Sequence, residues 1–127
     1  MINLIVLQEE FSIIQVKIDQ PIPASVFDSS FYSITKTNDE ISIIVNKDIE
    51  IPFARISKGW KGFKVEGILD FSMVGIIYNL IAPLKENGIS VFVTSTYNTD
   101  YLFVKESSFQ KSVEIFEKTG YIILKDQ

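Results

Sequence analysis

Between residues 61 and 124 the chain moves back and forth between a two-residue and a helical hydrophobic period. The order of those moves restricts the fold more than any other feature. Residues 61–66 (Lys-Gly-Phe-Lys-Val-Glu) alternate like a strand, with Phe63 and Val65 on one face. Asp70 and Ser72 are candidate N-caps for a helix over about 71–86. Asn87-Gly88 is a helix stop. Residues 89–94 are apolar and β-branched, and residues 95–100 (Ser-Thr-Tyr-Asn-Thr-Asp) are a polar turn. Residues 101–105 form another strand. Ser107 and Gln110 stand at capping-box spacing where a second helix starts. That helix ends near Lys118, with Gly120 at its exit, and residues 121–124 form a last strand.

This order, β-α-β-β-α-β, is the ferredoxin-like pattern and puts the chain in the α+β class. The first half is β-rich and less regular. Residues 4–7 and 11–16 read as strands joined by Gln8-Glu9-Glu10, and Pro21 and Pro23 break any long element there. Residues 31–35 and 41–45 read as two more strands around Thr37-Asn38-Asp39-Glu40, and Pro52 opens a short connector before Lys58-Gly59. The turn at residues 35–40 leading into the strand at 41–45 resembles the turn at 94–100 leading into 101–104. In both, a Thr-x-Thr turn with an acidic residue feeds an apolar strand. Two related β-rich modules or a chance likeness of two hairpins would each produce this pattern.

The two helices differ in character. The second carries Phe109, Val113 and Phe116 on one stripe, with Gln110, Lys111, Glu114, Glu117 and Lys118 mostly elsewhere, as in a surface helix with one buried face. The first carries Met73, Val74, Ile76, Ile77, Leu80, Ile81, Ala82 and Leu84 around its whole circumference. A helix of that kind needs cover on every side, from the sheet and from the N-terminal module or another subunit. Pro83 within it removes the amide that would bond to Asn79.

Composition removes whole classes of chemistry. There is no cysteine and no histidine, so disulfides, thiolate metal sites, cysteine nucleophiles and imidazole bases are excluded. No cofactor is expected. Twelve basic residues against sixteen acidic ones argue against nucleic acid as the main partner. Lys58, Lys61 and Lys64 beside Trp60 and Phe63 are read as a solvated strand edge rather than an RNA-binding surface. Neither a carboxylate pair of fixed spacing nor a framed Ser–Lys nucleophile stands out, so catalysis is not expected. The N-terminal residues turn acidic at once and do not read as a signal peptide. The longest apolar stretch, residues 73–84, is shorter than the roughly 20 residues that cross a bilayer. The expectation is a soluble, cytoplasmic protein with no membrane partner.

Two loops could together hold a small molecule. Glu66-Gly67-Ile68-Leu69-Asp70-Phe71-Ser72 leads from a strand into a helix N-terminus, where free N–H groups and the helix dipole favour a carboxylate. Ser95-Thr96-Tyr97-Asn98-Thr99-Asp100 supplies hydroxyls, and Asp100 can accept hydrogen bonds from an ammonium or guanidinium. Either loop alone is ordinary loop chemistry. Brought together by neighbouring strands, they offer both ends of a zwitterion a partner.

Several segments resemble the bacterial ACT-domain proteins related to the CASTOR-type cytosolic arginine sensors of animals. They are Trp60-Lys61-Gly62-Phe63-Lys64-Val65-Glu66-Gly67, Ile81-Ala82-Pro83-Leu84, Gly88-Ile89-Ser90-Val91-Phe92 and the run from Ser95 through Asp100 to Lys105. Residues 31–37 and 40–43 resemble that family's N-terminal module. The resemblance implies tandem ACT modules, a β-rich and reduced one over 1–57 and a complete β-α-β-β-α-β one over 58–127. It also implies no catalysis and an amino acid or similar small zwitterion bound between ACT modules. The pocket residues it carries over are Glu66, Gly67, Ile68, Thr96, Tyr97, Thr99 and Asp100. The sensors' Gly/Ser-rich stretch after the first strand is reduced here to Gly67-Ile68-Leu69-Asp70. The sensors are longer and pair their halves within one chain, so a homodimer is implied for this one. The alternative is a dimeric interaction or scaffold protein without a ligand.

Overall fold

The computed structural model describes residues 2–67 and 75–125. The strands are β1 (Asn3–Val16), β2 (Ser33–Lys36), β3 (Ile41–Asn46), β4 (Arg55–Val65), β5 (Val91–Ser95), β6 (Asp100–Lys105) and β7 (Ile122–Lys125). The helices are α1 (Ile76–Glu86) and α2 (Glu106–Thr119), and a 3-10 turn spans Ala24–Asp28. The chain divides into two compact units. The larger takes residues 1–8 and 61–127, and the smaller takes 9–60. The boundaries fall inside β1 and inside β4, so each of these long strands contributes residues to both units.

In the smaller unit, β1 pairs antiparallel with β3 from Phe11↔Asn46 to Val16↔Ile41. Strand β3 pairs antiparallel with β2 from Ser33↔Ile44 to Lys36↔Ile41. The strand order is β2-β3-β1-β4. Alternation decides the register: Ile41, Ile43 and Val45 share one face of β3 and join Ile14, Val16, Val26 and Ile51 in a core. The 3-10 turn after Pro23 stands where a longer helix would be blocked by Pro21 and Pro23.

In the larger unit, β6 pairs antiparallel with β5 and neighbours β4. Phe63 and Val65 of β4, Leu102 and Val104 of β6, and Leu4 of β1 lie on one sheet face. Leu80 and Leu84 of α1 and Phe116 of α2 cover them. All but Ile89 in that cluster are fully buried, and each such side chain contributes about 1.5–3 kcal/mol relative to exposure. The two helices therefore cover one face of the sheet, as the α+β reading expects. On the opposite face Gly62 leaves room for its neighbours: a Cβ there would sit 2.8 Å from Leu7 Cδ1 and 2.9 Å from Phe103 Cε1.

Three local expectations are corrected. Strand β1 is unbroken, although Gln8-Glu9-Glu10 reads as a turn. The Glu10 carbonyl accepts from the Lys47 amide at 2.9 Å, which keeps this polar stretch extended. The first half of β1 also enters the β-α-β-β-α-β unit. Asn3–Val6 pairs in parallel with Ile122–Lys125 of β7, and the Glu66 amide donates to the Asn3 carbonyl at 2.9 Å. The strand order becomes β7-β1-β4-β6-β5, with β1 set between β7 and β4. Lastly, the Ser107–Gln110 capping box does not form. Helix α2 starts at Glu106 after an extended Lys105 with no side-chain cap, and Glu106 places an acidic group in the first turn.

Both helices end as the sequence predicts. Gly88 and Gly120 have φ of 71° and 104°, a conformation that glycine adopts without steric cost. Each closes a paired-hydrogen-bond cap, with Ile89 donating to Leu84 and Gly88 to Lys85, and with Tyr121 donating to Phe116 and Gly120 to Glu117. Helix α1 begins at Ile76. Residues 71–74 of the expected span, and the candidate caps Asp70 and Ser72, lie outside the described residues. Within α1, Leu80 and Leu84 are buried, Ile76, Ile77 and Ile81 pack partly on the core, and Tyr78 is 70% exposed. Among the described residues no helix is long and apolar enough to cross a membrane.

Candidate functional site

The β5–β6 hairpin is built by its own backbone. Ser95 pairs with Asp100 at its mouth, and Thr96 N donates to the Thr99 carbonyl at 2.8 Å. Thr99 N donates to Thr96 Oγ1 at 3.2 Å. The β2–β3 hairpin closes the same way. Lys36 pairs with Ile41, Thr37 N donates to the Glu40 carbonyl at 2.9 Å, and Glu40 N donates to Thr37 Oγ1 at 3.2 Å. The repeated Thr-x-Thr motif thus has one local cause in both places: the second threonine caps a four-residue turn. Asp100 occupies the position that Ile41 holds in the other hairpin, so one turn template presents a carboxylate and the other an apolar side chain.

The predicted site residues divide into groups. Thr99 is 3% exposed, and its hydroxyl donates to the Val65 carbonyl at 2.7 Å. This ties the hairpin to the end of β4, directly before Glu66 and Gly67. With its hydroxyl committed inward, Thr99 positions the loop and does not face a ligand. Asp100 is half-buried and its carboxylate accepts from Ser95 Oγ. That bond fixes the side chain while leaving acceptor capacity, since an ionised carboxylate has about four lone-pair sites. Thr96 is exposed, with its hydroxyl shared with the Thr99 backbone at 3.1 Å. Tyr97 is 82% exposed.

On the other loop, Glu66 is exposed and its Oε1 accepts from Asn3 Nδ2 at 2.8 Å. Gly67 is exposed, with φ of 98°, and among the described residues nothing beyond its chain neighbours would come within 4 Å of a Cβ there. Ile68 lies outside the described residues. Asn3 and Ser95 hold the two carboxylates and were not among the predicted site residues. Ser95 was legible as part of the polar turn. Asn3 lies 63 residues from Glu66 and carries no signal of its own. Among the described residues no group of three or more Asp or Glu side chains is placed to hold a metal ion.

Residues 55–118 match the family model described as ACT domain, and a second model, described as an N-terminal domain, matches residues 9–53. Over 87 residues the chain is 34% identical to the human protein named as putative protein CASTOR3P, covering 58% of this chain and 53% of that protein. The chain therefore spans about half the length of this curated relative. Among solved structures, a protein of Agobacterium tumefaciens superposes with a TM-score of 0.91 at 33% identity, covering 99% of this chain and 94% of that one. The ligand-free regulatory subunit of aspartate kinase from Thermus thermophilus superposes with a TM-score of 0.67 at 11% identity, covering 92% of this chain and 96% of that one. At that identity the likeness is one of fold.

Proposed function

The chain belongs to the ACT-domain family, and from that premise we propose that it is a non-catalytic regulatory protein that binds an amino acid or similar small zwitterion. The observation that carries the reading is the Thr99–Val65 bond, which joins the loop bearing Asp100 to the strand end bearing Glu66 and Gly67. Two carboxylates, each steadied by a neighbouring side chain, favour a ligand with a cationic end. Asp100 and Glu66 take that cation, while Thr96 and Tyr97 border it. The main-chain amides of the loop that begins at Gly67 and Ile68 take the carboxylate. Thr99 acts through the loop it anchors. The site is completed by a second copy of the chain, giving a homodimer of paired tandem ACT modules in the cytoplasm.

The regulatory role draws support from the aspartate kinase regulatory subunit that shares the fold. The amino-acid class draws support from the chemistry of the two loops. Thermal unfolding against each of the twenty amino acids, with light scattering for mass, tests the proposal. A ligand at a hundred times its Kd adds about 2.7 kcal/mol to stability. One or a few amino acids with a basic or amino group beyond the backbone are expected to raise the Tm, and Asp100→Ala abolishes the rise. A dimer whose Tm no amino acid moves at millimolar concentration sinks the ligand reading and leaves the scaffold reading standing.

A further inference from the structure

The larger unit has a concavity that the loop site does not use. It is a cleft of about 520 Å³ between α2 and the β1–β7 side of the sheet. Its apolar wall comes from Val6, Phe109, Val113 and Ile123. The volume lies within the roughly 300–1,000 Å³ of small-molecule sites. Two lysines stand on the lining, Lys61 from β4 and Lys125 from β7, with Glu117 as the acidic residue among them.

The Lys61 ammonium is held in place. It lies 5.4 Å from the centroid of the Phe109 ring, and that ring is stacked on the buried Phe63 at 5.4 Å with an interplanar angle of 20°. A cation over an aromatic face is attracted by the ring quadrupole, so the charge is pre-positioned on a rigid support. Among the described residues neither Lys61 nor Lys125 has a carboxylate partner. Among the described lining residues, two ammonium groups stand against one carboxylate, a net positive charge above an apolar wall.

We propose that this cleft is a binding site for an apolar monocarboxylate, its acid on Lys61 and Lys125 and its hydrocarbon body against Val6, Val113 and Ile123. The chemistry is that of an aryl-alkanoic or short fatty acid. It differs from a zwitterion because the lining offers the body an apolar surface and the head a net positive charge. The site is independent of the amino-acid site at the Asp100 loop.

Calorimetric titration of the full chain with 3-phenylpropionate tests this, with 3-phenylpropanol as a probe of the same body without the charge. Saturable, equimolar binding of the acid is expected, with the alcohol weaker by about two- to fivefold, the scale of an exposed charge pair. Lys61→Gln, a half-exposed position, lowers acid affinity part of the way toward the alcohol's level, Lys125 keeping the rest. Val113→Trp fills the cleft and abolishes binding, with folding checked by circular dichroism. Asp100→Asn leaves the acid's affinity unchanged, which separates this site from the amino-acid site. The proposal is overturned if the acid does not bind at millimolar concentration, if the alcohol binds as tightly, or if Lys61→Gln has no effect.

Discussion

The hydroxyl of Thr99 donates to the carbonyl of Val65 at 2.7 Å, a buried bond between residues 34 apart in sequence. A buried acceptor that loses its donor costs about 1–3 kcal/mol. Thr99→Val keeps the shape of the side chain and removes the donor. It is expected to lower stability to urea by that amount, whereas Thr99→Ser restores most of it. If the loop site is as proposed, Thr99→Val also weakens ligand binding without touching the ligand. Valine matching wild type in urea would show that the bond does not hold the hairpin.

Asp100 offers a cleaner test of charge. Its carboxylate accepts from Ser95 Oγ, and an asparagine carbonyl can accept the same bond. Asp100→Asn is therefore expected to leave the Tm of the free protein within about 0.5 kcal/mol equivalents of wild type. A cationic ligand would lose about tenfold or more in affinity, the scale of a charge-assisted hydrogen bond. Titration calorimetry on wild type and variant separates the two effects.

Gly62 is a packing glycine. A Cβ there would meet Leu7 and Phe103 under 3.0 Å, and Phe103 is fully buried. Gly62→Val is expected to cost about 1–3 kcal/mol by overpacking, despite valine's preference for strands. Gly62→Val combined with Leu7→Ala should recover part of the loss, because space is returned at the nearest contact. Urea unfolding of the single and double variants measures the recovery.

What could be read from the sequence follows the range of each interaction. The elements from β4 to β7 were legible because each announces itself within its own residues: Phe63/Val65 alternation, the Phe109/Val113/Phe116 stripe, and the Gly88 and Gly120 stops. The insertion of β1 between β7 and β4 was not. Asn3–Val6 and Ile122–Lys125 meet across nearly the whole chain, and pairing at that distance leaves no local pattern. Gln8-Glu9-Glu10 misled because turn residues and exposed strand residues share a composition. The Glu10–Lys47 hydrogen bond that decides the matter is made by backbone. The two candidate loops are each legible as loops, but the Thr99–Val65 bond that ties one to the strand end before the other is not, nor is Asn3 beside Glu66. The Thr-x-Thr repeat is legible because that motif does the same work in both turns.

Phe53 is the non-glycine residue with positive φ, 59°, among the described residues, and its side chain is 93% exposed. The left-handed conformation costs an ordinary L-residue about 1–2 kcal/mol, and an exposed ring recovers little of that by burial. Asparagine tolerates this conformation better. Phe53→Asn is expected to stabilise the chain by about 0.5–1 kcal/mol. Chemical denaturation at two protein concentrations checks this. A loss of stability that appears only at the higher concentration would mean that the ring is covered by another copy of the chain.

Tyr121 gives the fold a dependence on alkaline pH. It follows the Gly120 cap, packs edge-on against Phe116 at 5.9 Å, and burial raises its pKa above the ordinary phenol value. Burial disfavours the charged form, so the folded state holds the proton longer than the unfolded state does. The unfolded phenol ionises at about pH 10. Below that pH both states are neutral and the contribution of Tyr121 is fully present. As pH rises through the folded value the contribution is lost, because unfolding releases a proton. Tyr121→Phe keeps the ring contact with Phe116 and removes the titration. The difference between wild type and variant is the informative quantity, because every other group is common to both. Urea unfolding from about pH 8 to about pH 11 should show wild type losing stability more steeply than Tyr121→Phe. Parallel curves would mean that the phenol is as well solvated in the folded chain as in the unfolded one.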